Sequence, residues 1–129
     1  MGLTTAGRDF IAQVIMTDGS PVYFTNALAA LGVGDSSLAF TNTQTNLQAA
    51  TNKSKKGMDS TYPQRTNNVL TAKSTWGDTF AEFHWWEWGF FNSVTADTGC
   101  MLNRAVSDMG TKAAGSTWVL TATITITAA

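Results

Sequence analysis

The residues with the most chemical potential lie in one aromatic run, Phe80-Ala81-Glu82-Phe83-His84-Trp85-Trp86-Glu87-Trp88-Gly89-Phe90-Phe91. On a regular strand Glu82, His84 and Trp86 point to one side and Phe83, Trp85 and Glu87 to the other. Glu82 and His84 are therefore placed to form an ion pair or an acid–base dyad. Two carboxylates beside aromatic platforms are also the ingredients of a glycosidase, where paired acids flank a stacked sugar ring. The spacing permits these chemistries without requiring them. A histidine and two glutamates on a tryptophan-rich sheet are more often polar groups satisfied at a core margin or an interface, and that is the expectation here.

Other nucleophile and ligand arrangements are weaker still. Gly34-Asp35-Ser36-Ser37 lacks the glycine that follows the serine by two positions in a nucleophile elbow. Cys100 meets His84 only if the fold brings them together, and a lone cysteine in a strand usually behaves as a small buried hydrophobe. Gly32-x-Gly34 is too short for a dinucleotide fingerprint, and no suitable helix follows it. One cysteine and one histidine supply neither an internal disulfide nor the ligand set of a structural zinc site. The expectation is a non-enzymatic protein with no catalytic residue, cofactor or metal.

Composition narrows the partners. A chain of 129 residues, residues 1–129, suffices for one domain with one core. Eight basic residues face nine acidic ones, and only Lys53, Lys55 and Lys56 cluster, so a nucleic-acid partner is not expected. No apolar run approaches the roughly 20 residues of a membrane span. Met1 to Thr5 lacks the basic and apolar regions of a secretory signal, so the chain is expected to be made and kept in solution. Threonine dominates, with 21 copies beside 17 Ala, 11 Gly, 9 Ser and 8 Asn. A β-branched residue suits a pleated, half-exposed strand face, which points to an all-β fold. Surfaces of short, uncharged side chains also lose little rotamer entropy when another subunit covers them.

The elements that must position these residues follow from periodicity. Residues 4–16 read as one helix, capped by Thr4 or Thr5, with Phe10, Ile11, Val14 and Ile15 on one face and Arg8, Asp9 and Gln13 outward. Thr17 to Pro21 stops it. Ala27–Val33 reads as a buried strand running into a turn at Gly32–Ser37, and residues 38–50 as a loop with a short helical turn. Lys53–Tyr62 reads as an edge strand, since lysines and the nearby Pro63 discourage further pairing. Asn67-Asn68 turns. Strands are then expected over Val69–Trp76, Phe80–Phe91 and Cys100–Val106, with a break at Met109-Gly110. Thr117–Thr127 alternates throughout: Trp118, Leu120, Ala122, Ile124 and Ile126 share one face, and the threonines with Val119 the other. This spacing predicts a mainly β protein, a β-sandwich or jelly-roll-like antiparallel fold with one N-terminal helix.

Five tryptophans are more than a sandwich of this size is expected to bury, and exposed aromatics mark interface centres. Trp76, Trp85, Trp88, Phe91 and Arg104 are the expected interface residues, with Trp86 and Trp118 filling the core.

Several segments, in order, span nearly the whole chain: Gly2-Leu3-Thr4-Thr5-Ala6-Gly7-Arg8-Asp9-Phe10-Ile11, Leu31-Gly32-Val33-Gly34-Asp35-Ser36, Met58-Asp59-Ser60-Thr61-Tyr62-Pro63, Trp86-Glu87-Trp88-Gly89-Phe90-Phe91-Asn92 and Met101-Leu102-Asn103-Arg104. As a set they resemble a family of small structural proteins of tailed-bacteriophage virions. The Gly-Val-Gly-Asp and Glu-Trp-Gly-Phe-Phe pieces are also distantly similar to the Gly-Asp and Glu-Ile-Gly-Leu-Phe signatures of tail-collar fibre domains, with Trp88 in place of the isoleucine. The resemblance implies a virion protein assembled in the host cytoplasm, with no catalytic residue to carry over. One placement is a capsid decoration or cement protein, bound as homotrimers to the major capsid protein. The alternatives are a tail or collar component that adapts a fibre to other tail proteins, or a glycan-binding receptor domain.

Overall fold

The computed structural model describes residues 2–127. Its elements are β1 (Gly2–Leu3), α1 (Thr5–Met16), β2 (Ala30–Gly34), β3 (Lys53–Gly57), β4 (Gln64–Thr66), β5 (Val69–Trp76), β6 (His84–Phe91), β7 (Met101–Thr111) and β8 (Trp118–Thr125). All strand pairs are antiparallel. They form one sheet of five strands, β1-β7-β6-β2-β3, and one of three, β4-β5-β8. The protein is thus mainly β with one N-terminal helix. Leu31, Val33, Trp85, Phe90 and Leu102 of the larger sheet meet Ala72, Trp76, Ala122 and Ile124 of the smaller one in a single core, as in a β-sandwich.

The helix begins as its sequence predicts. Thr4 is the N-cap, and its hydroxyl accepts a hydrogen bond from the Gly7 amide at 2.8 Å while donating to the Met101 carbonyl at 2.5 Å. Gly7 lies so close to β7 that a Cβ would collide with the Leu102 carbonyl oxygen, which is why this turn has no side chain there. Phe10, Ile11 and Val14 are half-buried, but Ile15 departs from the expected stripe. Together with Met16 it is 74% exposed, because the close contact with the sheet is made at the helix start.

Strand boundaries are tighter than the periodicity suggests. The strand expected from Ala27 starts at Ala30, after a turn in which the Leu28 amide donates to the Thr25 carbonyl. β2 continues through Gly34, so the turn expected from Gly32 begins three residues later, at Asp35. β3 ends at Gly57, not Tyr62, but does lie on a sheet edge. β6 begins at His84; the residues before it are diverted at Ala81, which takes a left-handed conformation (φ 55°). β7 passes through Met109-Gly110 without the expected break. A hydrogen-bonded turn, Gln44 amide to Thr41 carbonyl, stands where a helical turn is expected. The two shortest strands, β1 and β4, have too few residues to show a period.

Strict alternation along β6 fails at one place. Pairing with β7 is irregular between Trp85 and Glu87, and again between Phe90 and Phe91. Across the first irregularity the faces exchange: Trp85 points into the core together with Trp88 and Phe90 further along, whereas Glu87 points outward beneath the 35–52 loop.

Candidate interaction surface

Much of what reads as surface in the sequence is interior. Trp76, Trp85 and Phe91 are at most 2% exposed, and Arg104 is fully buried, so the expectation that these four anchor an interface is corrected. Trp85 stands between Trp76 and Trp118, with ring centroids 5.0 Å apart on both sides and edge-to-face geometry, and its indole N–H donates to the Ala81 carbonyl at 3.0 Å. The sandwich absorbs its tryptophans by stacking them edge to face. Trp88 is half-buried against the same core, and Phe91 belongs to a second cluster with Leu47 and Met101. The roles expected of Trp86 and Trp118 change accordingly. Trp118 only flanks the core, and Trp86 lies half-exposed with its ring stacked on His84 at 5.0 Å.

Arg104 is held internally by Glu87, with Nε donating to Oε2 at 2.6 Å and both side chains fully buried. Glu87 also accepts the Gln48 and Ala49 amides at 2.9 Å, and Arg104 donates to the Leu38 carbonyl and the Gln44 side chain. A buried pair of this kind is stable only where its remaining lone pairs and protons find partners, and the 35–52 loop supplies them. Glycines make the room. Gly89 sits directly opposite Arg104 on the neighbouring strand, and a Cβ on Gly34 would collide with the Glu87 carboxylate. In Gly32-x-Gly34 the second glycine thus leaves room for the charged pair, and the first for Phe91 and Leu47. Its signal in the sequence is a single charge of each sign inside apolar strands, Trp-Trp-Glu-Trp and Leu-Asn-Arg-Ala.

The carboxylates and histidine of the aromatic run are not brought together. Glu87 is sealed under the loop, and Glu82 is exposed before β6 begins. His84 instead bonds Asp108 at 2.5 Å through Nε2 and Thr111 at 2.8 Å through Nδ1, both on β7. That hydrogen bond, with one from the Gly110 amide, holds the Asp108 carboxyl below the usual range. Burial, with Asp9 nearby, pushes the half-buried Cys100 thiol up, in keeping with an unreactive cysteine.

Lys55, expected as part of an exposed edge, is folded over the Phe91 ring at 3.9 Å. Its ammonium donates to the Ser93, Thr95 and Thr98 carbonyls of the β6–β7 turn. Burial lowers its pKa from 10.5 to about 8, against the opposing pull of Asp97. The unfolded chain therefore binds a proton that the folded protein has lost between these values, so stability contributed by this residue rises with pH across that window and is level below it. Urea midpoints measured at several pH values for wild type and Lys55→Met are expected to diverge in favour of wild type from about pH 8 upward. A constant difference would show that Lys55 keeps its ordinary affinity for protons.

What remains exposed is a threonine face. On β8 Val119, Thr121, Thr123 and Thr125 point to solvent, and on β5 they stand opposite Thr75, Lys73, Thr71 and Val69 in unbroken register. Lys73 is the one charged residue among these eight, and its ammonium lies 5.6 Å from the Tyr62 ring. An apolar cavity of about 290 Å³ opens beside α1, lined by Phe10, Val14, Phe24, Leu70, Phe90 and Ile126 among others. No cluster of three or more metal-ligating side chains occurs among the described residues, and no helix among them is long and apolar enough to cross a membrane. Compared with protein-family models, curated proteins and solved structures, the chain matches none.

Proposed function

We propose that this chain is a non-enzymatic structural protein of a tailed-bacteriophage virion, a decoration or cement protein that binds the assembled shell as an oligomer and stabilises it. The observation that carries the reading is the threonine face of the smaller sheet, with one charge among its eight residues. Covering it desolvates little charge, Lys73 and the Asp59 carboxylate that accepts the Thr75 hydroxyl at 2.8 Å, and orders short side chains, which suits a permanent assembly. A protein that binds the assembled shell and not its free subunits adds its binding free energy to the stability of the particle. Quantitative mass spectrometry of purified virions tests this. On the order of hundreds of copies per particle, following the shell's symmetry, is the expected result. A copy number of about a dozen or fewer would move the protein to the tail or collar, and its absence from the particle would sink the reading.

A further inference from the structure

Two open sheets have four edges: β1 and β3 bound the larger one, β4 and β8 the smaller. An edge presents unpaired N–H and C=O groups to any other strand, and stable monomers blunt it with shortness, charge, proline or cover. Three of the four edges here are blunted. β4 has three residues, and β1 has two that cover only Asn103 and Arg104 of β7; the stretch of β7 left open beyond them, 105–111, carries Asp108 and the irregular pairing opposite Trp85–Glu87, a charge and a bulge that blunt it. β3 carries Lys53, Lys55 and Lys56 in five residues.

β8 has none of these protections. It runs for eight residues, Trp118–Thr125, without a charge, a proline or a glycine. Its pairing with β5 is unbroken, and among the described residues no backbone hydrogen bond reaches its other side. Its side chains are also incompletely covered: Val119 is 51% exposed, and the core-facing Trp118 and Leu120 are only half-buried.

We propose that β8 is a self-association edge: two copies of the chain pair their β8 strands antiparallel across a two-fold axis, joining two three-stranded sheets into one of six. The occupant is a second copy because pairing needs two unblunted edges, and β8 is the one that each copy offers. Self-pairing of one strand is antiparallel and isologous. It sets Thr121, Thr123 and Thr125 across from uncharged residues of the same strand, where threonine pairs are favourable and no like charges meet. At about 3.4 Å per residue the contact runs some ~27 Å, long enough for a full ladder. The two threonine faces become one continuous surface. This two-fold state replaces the three-fold one implied by the family resemblance, and it does not rest on the virion reading.

Light scattering and native mass spectrometry on the full chain over a wide concentration range are expected to show a monomer–dimer equilibrium. Hydrogen exchange is expected to show amides within residues 118–125 whose protection grows with concentration. The double variant Thr121→Lys/Thr123→Lys puts like charges across the axis and is expected to weaken the dimer by roughly tenfold or more. Thr71→Lys, on the same face of the central strand, should leave it intact. Should the double variant not fold, the concentration dependence of exchange in the wild type still decides. A monomer at every concentration, a trimer, or β8 protection independent of concentration would overturn the proposal. Copy number per virion bears only on the virion role, so either reading can fail alone.

Discussion

Arg104→Met is expected to lower the unfolding free energy by about 3–5 kcal/mol, the usual loss when one partner of a buried ion pair is removed. The loss arises from the carboxylate left behind. Glu87 keeps the Gln48 and Ala49 amides but has no counter-charge, in a place with no access to water. Adding Glu87→Gln to this variant should recover part of the loss, because the stranded charge disappears while one side-chain oxygen still accepts an amide. Urea midpoints of wild type, single and double variants measure both effects. If Arg104→Met unfolds at the wild-type midpoint, the pair is not sealed as described.

The second large effect is expected at Trp85. Truncation to alanine removes the ring between Trp76 and Trp118 and one of the two hydrogen bonds to the Ala81 carbonyl, which keeps the Phe83 amide. Large-to-small changes of this kind cost about 3–5 kcal/mol. For a domain of this size that corresponds to a fall in melting temperature of roughly 10–20 °C. A surface anchor would behave in the opposite way, with an unchanged melting temperature and weaker assembly. Calorimetry on Trp85→Ala therefore separates a core tryptophan from an interface tryptophan directly.

These two sites also mark where the sequence is legible and where it is not. The alternation of β8 names its core-facing and solvent-facing residues almost without error, because a strand with one wet face carries its burial pattern in every second residue. Thr4 as N-cap is equally readable, since the capping bond is local. The aromatic run hides its geometry because the irregular pairing between Trp85 and Glu87 depends on β7, and no property of residues 80–91 alone announces it. Counting tryptophans against chain length overestimates the exposed ones, since edge-to-face stacking packs Trp76, Trp85 and Trp118 into one contiguous block. Arg104 is the instructive case. Its charge suggests an interface, whereas its neighbours Met101, Leu102 and Ala105 are all buried, and its partner lies 17 residues away on the adjacent strand.

The Glu87–Arg104 pair also governs how the molecule can open. Residues 35–52 form a connection without helix or strand, the sort of segment that ordinarily detaches first and invites proteolysis. Here detachment would strip both charges of five hydrogen bonds while leaving them on the sheet. The loop therefore has no inexpensive local excursion of its own. Through these contacts its opening is expected to be coupled to that of the five-stranded sheet, so that cleavage within the loop follows the global stability of the fold.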